Sequence, residues 1–308
     1  MKTHNTNRKI DSIGTLACLG VVVFWSWGPI FIKYLTGYID AWTQNLLRYT
    51  AACLFLLPAL LYSINKNTFD KRLWLKALAP AAANLTMQSL YACGFYYIGA
   101  GFMILLTKSA ILWVAAFSLI FFPQERPLAK SKRFWLGLLL SAGGLIGVMY
   151  FKEGFITDGT ITGIFFALSM AFMMAVYTIS VRIAFRNIDS KDSFSVISIY
   201  TVGGFLILTL IFGNPESSLQ MGIKPWASII FSGVTSIAMG HIFFYVSIKH
   251  IGATIPGLLT LSQPFFVIAI SFFLFSESLN TLQLIFGAIL LAGSAMAVLA
   301  QQHLKSNQ

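Results

Sequence analysis

Ten apolar runs follow one another along this chain, each of a length that suits a helix crossing a bilayer. A spanning helix needs about 20 predominantly apolar residues. The runs fall at approximately residues 12–35, 41–64, 74–97, 101–122, 134–151, 160–182, 193–213, 226–248, 254–275 and 282–301. The polar stretches between them are short, and none has room for a separate soluble domain. Of the 308 residues 57% are hydrophobic and 10% are charged, against about 25% charged in a soluble domain. Lipid is the solvent that makes such a composition reasonable. In lipid every backbone N–H and C=O must be bonded within the protein, so the runs are expected to be helices. The fold class that follows is an all-α integral membrane protein of about ten transmembrane helices.

The net charge of +11 does not point to nucleic acid, because the basic residues sit in short clusters between the apolar runs. With the N-terminus placed in the cytoplasm, fifteen of the 21 basic residues fall on the inner side and three (Lys33, Lys152, Lys224) on the outer side. Arg48, Lys76 and Lys108 lie within spans. This bias sets orientation. The expectation is a multi-pass protein of the plasma membrane, a bacterial inner membrane, with both termini cytoplasmic. The first run, about 13–34, exceeds the roughly 7–15 residues of a signal-peptide core and reads as a retained helix. Cys18, Cys53 and Cys93 lie inside apolar runs without CxxC spacing, so neither a disulfide framework nor a zinc site is expected.

The chain also repeats itself. Ile98-Gly99-Ala100 matches Ile251-Gly252-Ala253 at an offset of 153, and Leu105-Leu106-Thr107 matches Leu258-Leu259-Thr260 at the same offset. Ser109, Val114, Ala116 and Ser118 fall on Ser262, Val267, Ala269 and Ser271. After a loop three residues shorter, Gly137 meets Gly287 and Ala142-Gly143 meets Ala292-Gly293. A weaker echo pairs Gly14 with Gly163 and Lys33 with Arg182. Helices one to five therefore resemble helices six to ten, with units expected at 1–152 and 153–308. Five is odd, so the second unit inserts upside down relative to the first. Inverted repeats are a transporter architecture.

These features resemble the drug/metabolite transporter superfamily, and within it the EamA-type ten-helix transporters. The resemblance covers about residues 12–300. It rests on the duplicated five-helix layout, on Arg48 in Asn45-Leu46-Leu47-Arg48-Tyr49, and on the turns Phe122-Pro123-Gln124-Glu125-Arg126-Pro127-Leu128 and Phe275-Ser276-Glu277-Ser278-Leu279. Gln263-Pro264 fits the same pattern, whereas the fourth run has Ala110-Ile111 at the aligned place, without proline. The resemblance implies a metabolite carrier or exporter with a cavity between the halves. It implies no one substrate, since the family moves amino acids, nucleotide-like compounds and other metabolites. For Arg48 it implies a structural role, bonding loop carbonyls or snorkelling outward.

Ionisable groups inside a membrane are expensive and each invites a functional reading. All ten acids lie at span ends or in loops, so no carboxylate proton relay is apparent. Arg48 lies six residues past Trp42, roughly 9 Å along a helix, and Lys108 seven past Gly101, roughly 10 Å. Facing one cavity, they would make a positive pocket without a protein counter-ion, which a substrate carboxylate would satisfy. The repeat partner of Lys108 is the apolar Leu261, an asymmetry that a symmetric structural role would not need.

Polar neighbours extend this candidate lining. Gln44 shares a face with Arg48, and Asn84, Gln88 and Tyr91 share a face of the third helix. Tyr177, His241, Tyr245 and Gln263 lie in helices six, eight and nine. The competing reading is that such amides tie helices together, at about 0.6 kcal/mol each. Trp25, Trp27 and Trp113 are candidates to clamp a planar or cationic substrate. Trp42, Trp74, Trp135 and Trp226 sit at span ends and read as the interfacial belt. Gly28-Pro29 predicts a kink in the first helix, of a kind tolerated where backbone lines a cavity. Glu125, Glu277 and Pro264 are read as structural, the two glutamates as caps for the helices that follow them.

No GxxxxGK[ST] loop is present, so ATP drive within this chain is not expected. The four histidines His4, His241, His250 and His303 are scattered and form no catalytic or metal set, and no charged ring or carbonyl filter marks a channel. The leading expectation is a secondary transporter with no catalytic residues, cofactor or metal. Its partners would be a small-molecule substrate and the lipid bilayer, not nucleic acid. Amino acids or related carboxylates held by Arg48 or Lys108 are the favoured substrates. Aromatic or cationic metabolites held by the tryptophans and tyrosines are the alternative, and a membrane-embedded enzyme or a non-transporting sensor stands behind both.

Overall fold

A computed structural model describes residues 12–152, 157–185, 192–251 and 254–306. The basic residues Lys2, Arg8, Lys9, Arg186 and Lys191 counted for orientation, and Gly252-Ala253 of the repeat, lie outside the described residues. Among those described the secondary structure is helical, with no strand. The helices are α1 (Ser12–Leu35), α2 (Ala41–Asn65), α3 (Arg72–Lys76), α4 (Leu78–Gly94), α5 (Ala100–Thr107), α6 (Ala110–Phe121) and α7 (Lys132–Tyr150). The second half comprises α8 (Asp158–Ala184), α9 (Ser193–Phe212), α10 (Ile223–Ser232), α11 (Gly240–Ile251), α12 (Thr254–Leu259), α13 (Gln263–Phe275) and α14 (Thr281–Ser306).

Eight helices are long and apolar enough to cross a membrane, counting α5–α6 and α10–α11 as one each. The other two of the expected ten are interrupted. The third is divided into α3 and α4 at Ala77. Pro80 lacks the N–H that would bond the Lys76 carbonyl, and its ring crowds that position. The ninth runs as α12, a 3-10 turn at Thr260–Ser262, and α13. There Pro264 cannot donate to the Thr260 carbonyl, for the same reason. A π-helical stretch, Gly233–Met239, joins α10 to α11.

The packing obeys the repeat. α2 packs on α9 and α7 on α14, so each of these helices meets its own copy, and α5 on α13 brings the fourth span against the ninth, although segment by segment the copy of α5 is α12 and that of α13 is α6. α4 against α8 and α1 against α11 are exchange-related contacts, as are α6 against α8 and α1 against α13. The copies run antiparallel. Along α2 and α9, Trp42 meets Phe212, Tyr49 meets Phe205 and Ser63 donates to Asp192. Along α7 and α14, Gly137 approaches Gly293 and Ala297, Gly144 approaches Leu290, and Gly147 approaches Phe286. Antiparallel contact between equivalent helices is the geometry of an inverted repeat.

The largest apolar core surrounds α5, all of whose residues from Ala100 to Thr107 are buried, and takes in Ile30, Phe95, Ile164, Val267 and Leu291. The first part of the fourth helix, α5, is therefore enclosed by residues of both halves.

Candidate functional site

Prolines leave several carbonyl groups in the bundle without their four-residue helical partners, and two of these are met by polar side chains. An α-helix bonds each carbonyl to the N–H four residues on. For Trp25 that residue is Pro29, and for Thr260 it is Pro264. The structure uses both. Gln263 Nε2 donates to the Trp25 carbonyl at 2.7 Å. Lys108 Nζ donates to the Thr260 carbonyl at 3.2 Å and to Gln263 Oε1 at 2.8 Å. Lys108 and Ser109 themselves interrupt the fourth helix between α5 and α6. One chain of contacts thus runs from the fourth helix through the ninth to the first.

Three ion pairs occur among the described residues, Lys33–Glu277, Arg72–Asp70 and Arg182–Glu125, and Lys108 belongs to none. Its ammonium group is held by neutral oxygens. A buried charge without a counter-ion is expensive: removing one partner of a buried ion pair costs about 3–5 kcal/mol. A cation in this setting is disposed to accept an anionic group from a bound molecule.

Trp25 borders the same cluster. Its ring lies 5.6 Å from that of His241 and 5.0 Å from that of Phe244. His241 stacks on Phe194 at 3.8 Å, and its Nδ1 lies 2.7 Å from the Ile237 carbonyl. Tyr245 neighbours His241 and Tyr177. Gly28 lets α1 approach the π-helical stretch, where an added Cβ would lie 3.4 Å from Ser236 Cβ.

Arg48 is 2% exposed and sits elsewhere. Its Nε donates to Ser232 Oγ at 3.0 Å, and one terminal nitrogen, Nη1, has no partner. It shares no hydrogen-bond partner with Lys108. Gln44 donates to Tyr96 Oη at 3.0 Å, and Asn84 donates to Tyr49 Oη at 3.1 Å and Thr201 Oγ1 at 3.0 Å. Asn84 thus ties helices two, three and seven together. Asn45 donates to the Gln88 carbonyl at 3.0 Å, and Tyr91 packs on Phe95 at 4.9 Å. Trp27 (36% exposed) packs on Phe31, and Trp113 (42% exposed) on Phe172. Neither ring has a stacking contact with Trp25 or His241.

The two glutamates differ from the expected caps. Ser131 caps α7, accepting from Phe134 N at 3.3 Å. Asn280 caps α14, accepting from Gln283 N at 2.8 Å. Glu277 instead accepts from Ala100 N at 2.6 Å, at the start of α5 in the other half. Glu125, 1% exposed, pairs with Arg182 at the end of α8. Long-range partners displaced local ones, and spacing to the next helix carried no trace of them. Thr260, Asn45, Tyr49 and Ser232 were not singled out in the sequence, although the proline four residues on was a readable sign for the Thr260 carbonyl.

A sequence profile of the EamA-like transporter family matches residues 12–150 and again 161–299. An uncharacterized transporter of Haemophilus influenzae is 26% identical over 182 residues, covering 58% of this chain and 59% of that protein. One of Methanothermobacter thermautotrophicus is 30% identical over 167 residues, covering 52% and 46%. The chain therefore spans about half the length of the curated relatives it matches. A solved crystal structure aligns with a TM-score of 0.65 at 16% identity, over 93% of this chain and 97% of the other, and shares its fold.

Proposed function

Because the chain belongs to the EamA-like transporter family, we propose that it is a secondary carrier of amino acids or related carboxylates, with Lys108 receiving the substrate's carboxylate. The carrying observation is the half-buried Lys108 ammonium, held by the Gln263 side chain and the Thr260 carbonyl and in none of the ion pairs of the described residues. In this reading the substrate anion displaces a neutral oxygen partner and gains a charge-assisted hydrogen bond. Trp25, His241 and Tyr245 line the apolar side of the same site. Arg48, with one free nitrogen, is the second cation of the pathway. The partners are a small molecule and the bilayer, and the setting is a bacterial inner membrane with both termini in the cytoplasm.

The ring cluster of Trp25, edge-on to His241, and of His241 stacked on Phe194 favours a second reading, in which an aromatic or cationic metabolite is exported. Uptake of labelled amino acids and organic acids into proteoliposomes, wild type beside Lys108→Ala, separates the two. A hydrogen bond to a charged group is worth about 1.5–3 kcal/mol, so the carboxylate reading expects kcat/KM to fall roughly 10–100-fold. Equal saturable uptake by wild type and variant removes that reading and leaves the aromatic one.

A further inference from the structure

Two ion pairs in this molecule are copies of one another. Lys33 in the last turn of α1 pairs with Glu277 beyond α13. Arg182 in the last turn of α8 pairs with Glu125 beyond α6. The repeat exchanges α1 with α8 and α6 with α13, and thereby exchanges the two pairs. The copies run antiparallel, so the pairs lie at opposite ends of the bundle. Each joins the first helix of one half to the fourth helix of the other.

Their states differ. At one end Glu125 is buried, Arg182 bonds it directly, and the guanidinium lies 3.7 Å from the centroid of the Phe122 ring. At the other end Lys33 Nζ is 4.0 Å from Glu277 Oε1, its hydrogen bonds going to the Phe95 and Ile98 carbonyls at 2.9 and 3.3 Å. A cleft opens beside this second pair, lined by Gly99, Gly101, Phe102, Lys152, Ser271 and Glu277 among others. Ser276 ends α13 in the left-handed region (φ 54°) and Phe122 ends α6 extended, so the backbones that carry the two glutamates differ as well.

We propose that these pairs are the two latches of the carrier, closed in alternation. Here Arg182–Glu125 is closed and Lys33–Glu277 is relaxed. In the opposite state Lys33 binds Glu277 directly, the cleft beside it shuts, and Arg182 releases Glu125. This rests on the carrier reading above, but its test needs no substrate.

The repeat supplies matched reporters. Ser271, against the cleft, and Ser118, its copy in α6, are both buried. With Cys18, Cys53 and Cys93 replaced, Ser118→Cys and Ser271→Cys are labelled separately with a water-soluble maleimide in purified, monodisperse protein. Glu125→Gln is expected to raise labelling at position 118 at least threefold and lower it at 271. Glu277→Gln, which keeps an acceptor for Ala100, is expected to do the reverse. A rise at both positions means general loosening and overturns the proposal, as does no change at either. Should Glu125→Gln not fold, Glu125→Arg combined with Arg182→Glu must reproduce the parent labelling pattern, and a different pattern overturns the proposal. If labelling shifts in opposite directions while no carboxylate is taken up, the latches stand and the substrate reading falls.

Discussion

The seam between α7 and α14 and the seam between α5–α6 and α12–α13 both join a helix to its own copy, and they are built in opposite ways. The first is close-packed and uninterrupted. Gly137 and Gly144 on one side and Gly293 on the other bring backbone against backbone, Gly147 takes the Phe286 ring, and an added Cβ at any of them would collide with the partner. Small residues allow such an approach in lipid, where packing rather than water exclusion drives helix association. The second seam is broken at equivalent places, Lys108–Ser109 and Thr260–Ser262, and its closest contacts are polar. The two halves are thus fixed along one line and open to rearrangement along another. Under the carrier proposed above, the first seam would act as the hinge and the second as the place where substrate is held.

The largest effect tests the hinge. At Gly144 a side chain would run into the Leu290 backbone, which cannot step aside, whereas at Gly143, next to it, nothing lies within 4 Å of an added Cβ. Overpacking a core costs about 1–3 kcal/mol, and here rigid backbone sets the cost at or above the upper end. Gly144→Leu is expected to lower the melting temperature sharply or abolish recovery of folded protein, and Gly143→Leu to leave both unchanged. Equal melting temperatures for the two variants would show that the seam is not tight, and the contrast with the broken seam would vanish.

The next effect tests the polar seam. Gln263→Leu removes one acceptor from Lys108 and leaves the Trp25 carbonyl without its donor. Both losses fall on the protein itself, one of them a hydrogen bond to a charged group worth about 1.5 kcal/mol, so the variant is expected to melt at a lower temperature. Because the substrate carboxylate is proposed to take the place of a neutral oxygen on Lys108, carboxylate uptake by the protein that remains folded is not expected to fall with it. A roughly tenfold fall in uptake at an unchanged melting temperature would show instead that Gln263 holds the substrate and does not tie this seam.

The two seams were not equally legible. The spans were, because hydropathy reports the lipid-facing length directly. The first helix was expected at 12–35 and is Ser12–Leu35, and the seventh was expected at 193–213 and is Ser193–Phe212. The breaks were legible only where proline causes them. Pro264 marks the turn at Thr260–Ser262, but Lys108–Ser109 interrupts the fourth helix with no proline or glycine at hand. The lysine at that break bonds Gln263 across 155 residues of chain. Lys108 and Gln263 were both candidates, yet periodicity along one helix contains no information on which neighbour it will meet. Glu125 and Glu277 show the same limit. Their distance to the next helix predicted caps, but Ser131 and Asn280 already filled those positions, leaving the glutamates free to reach across to the other half.

The smallest effect is the one that defines the hinge most narrowly. Where α7 crosses α14, Ser141 Oγ lies 3.2 Å from Ser294 Oγ and 3.3 Å from the Leu290 carbonyl, while Ser294 donates to that same carbonyl at 2.8 Å. If the hinge is held by close packing, these hydroxyls add little, because Ser294 keeps its bond to Leu290 when Ser141 is removed. Interhelical polar pairs in membranes average about 0.6 kcal/mol and reach at most about 1.7. Ser141→Ala is therefore expected to cost about 0.6 kcal/mol in an unfolding titration, and a double-mutant cycle with Ser294→Ala to give a coupling no larger. A coupling near the upper value would mean that the hinge is held by hydrogen bonds after all. The two seams would then differ in charge and not in kind, and the separation between a rigid hinge and a working site would have to rest on the broken helices alone.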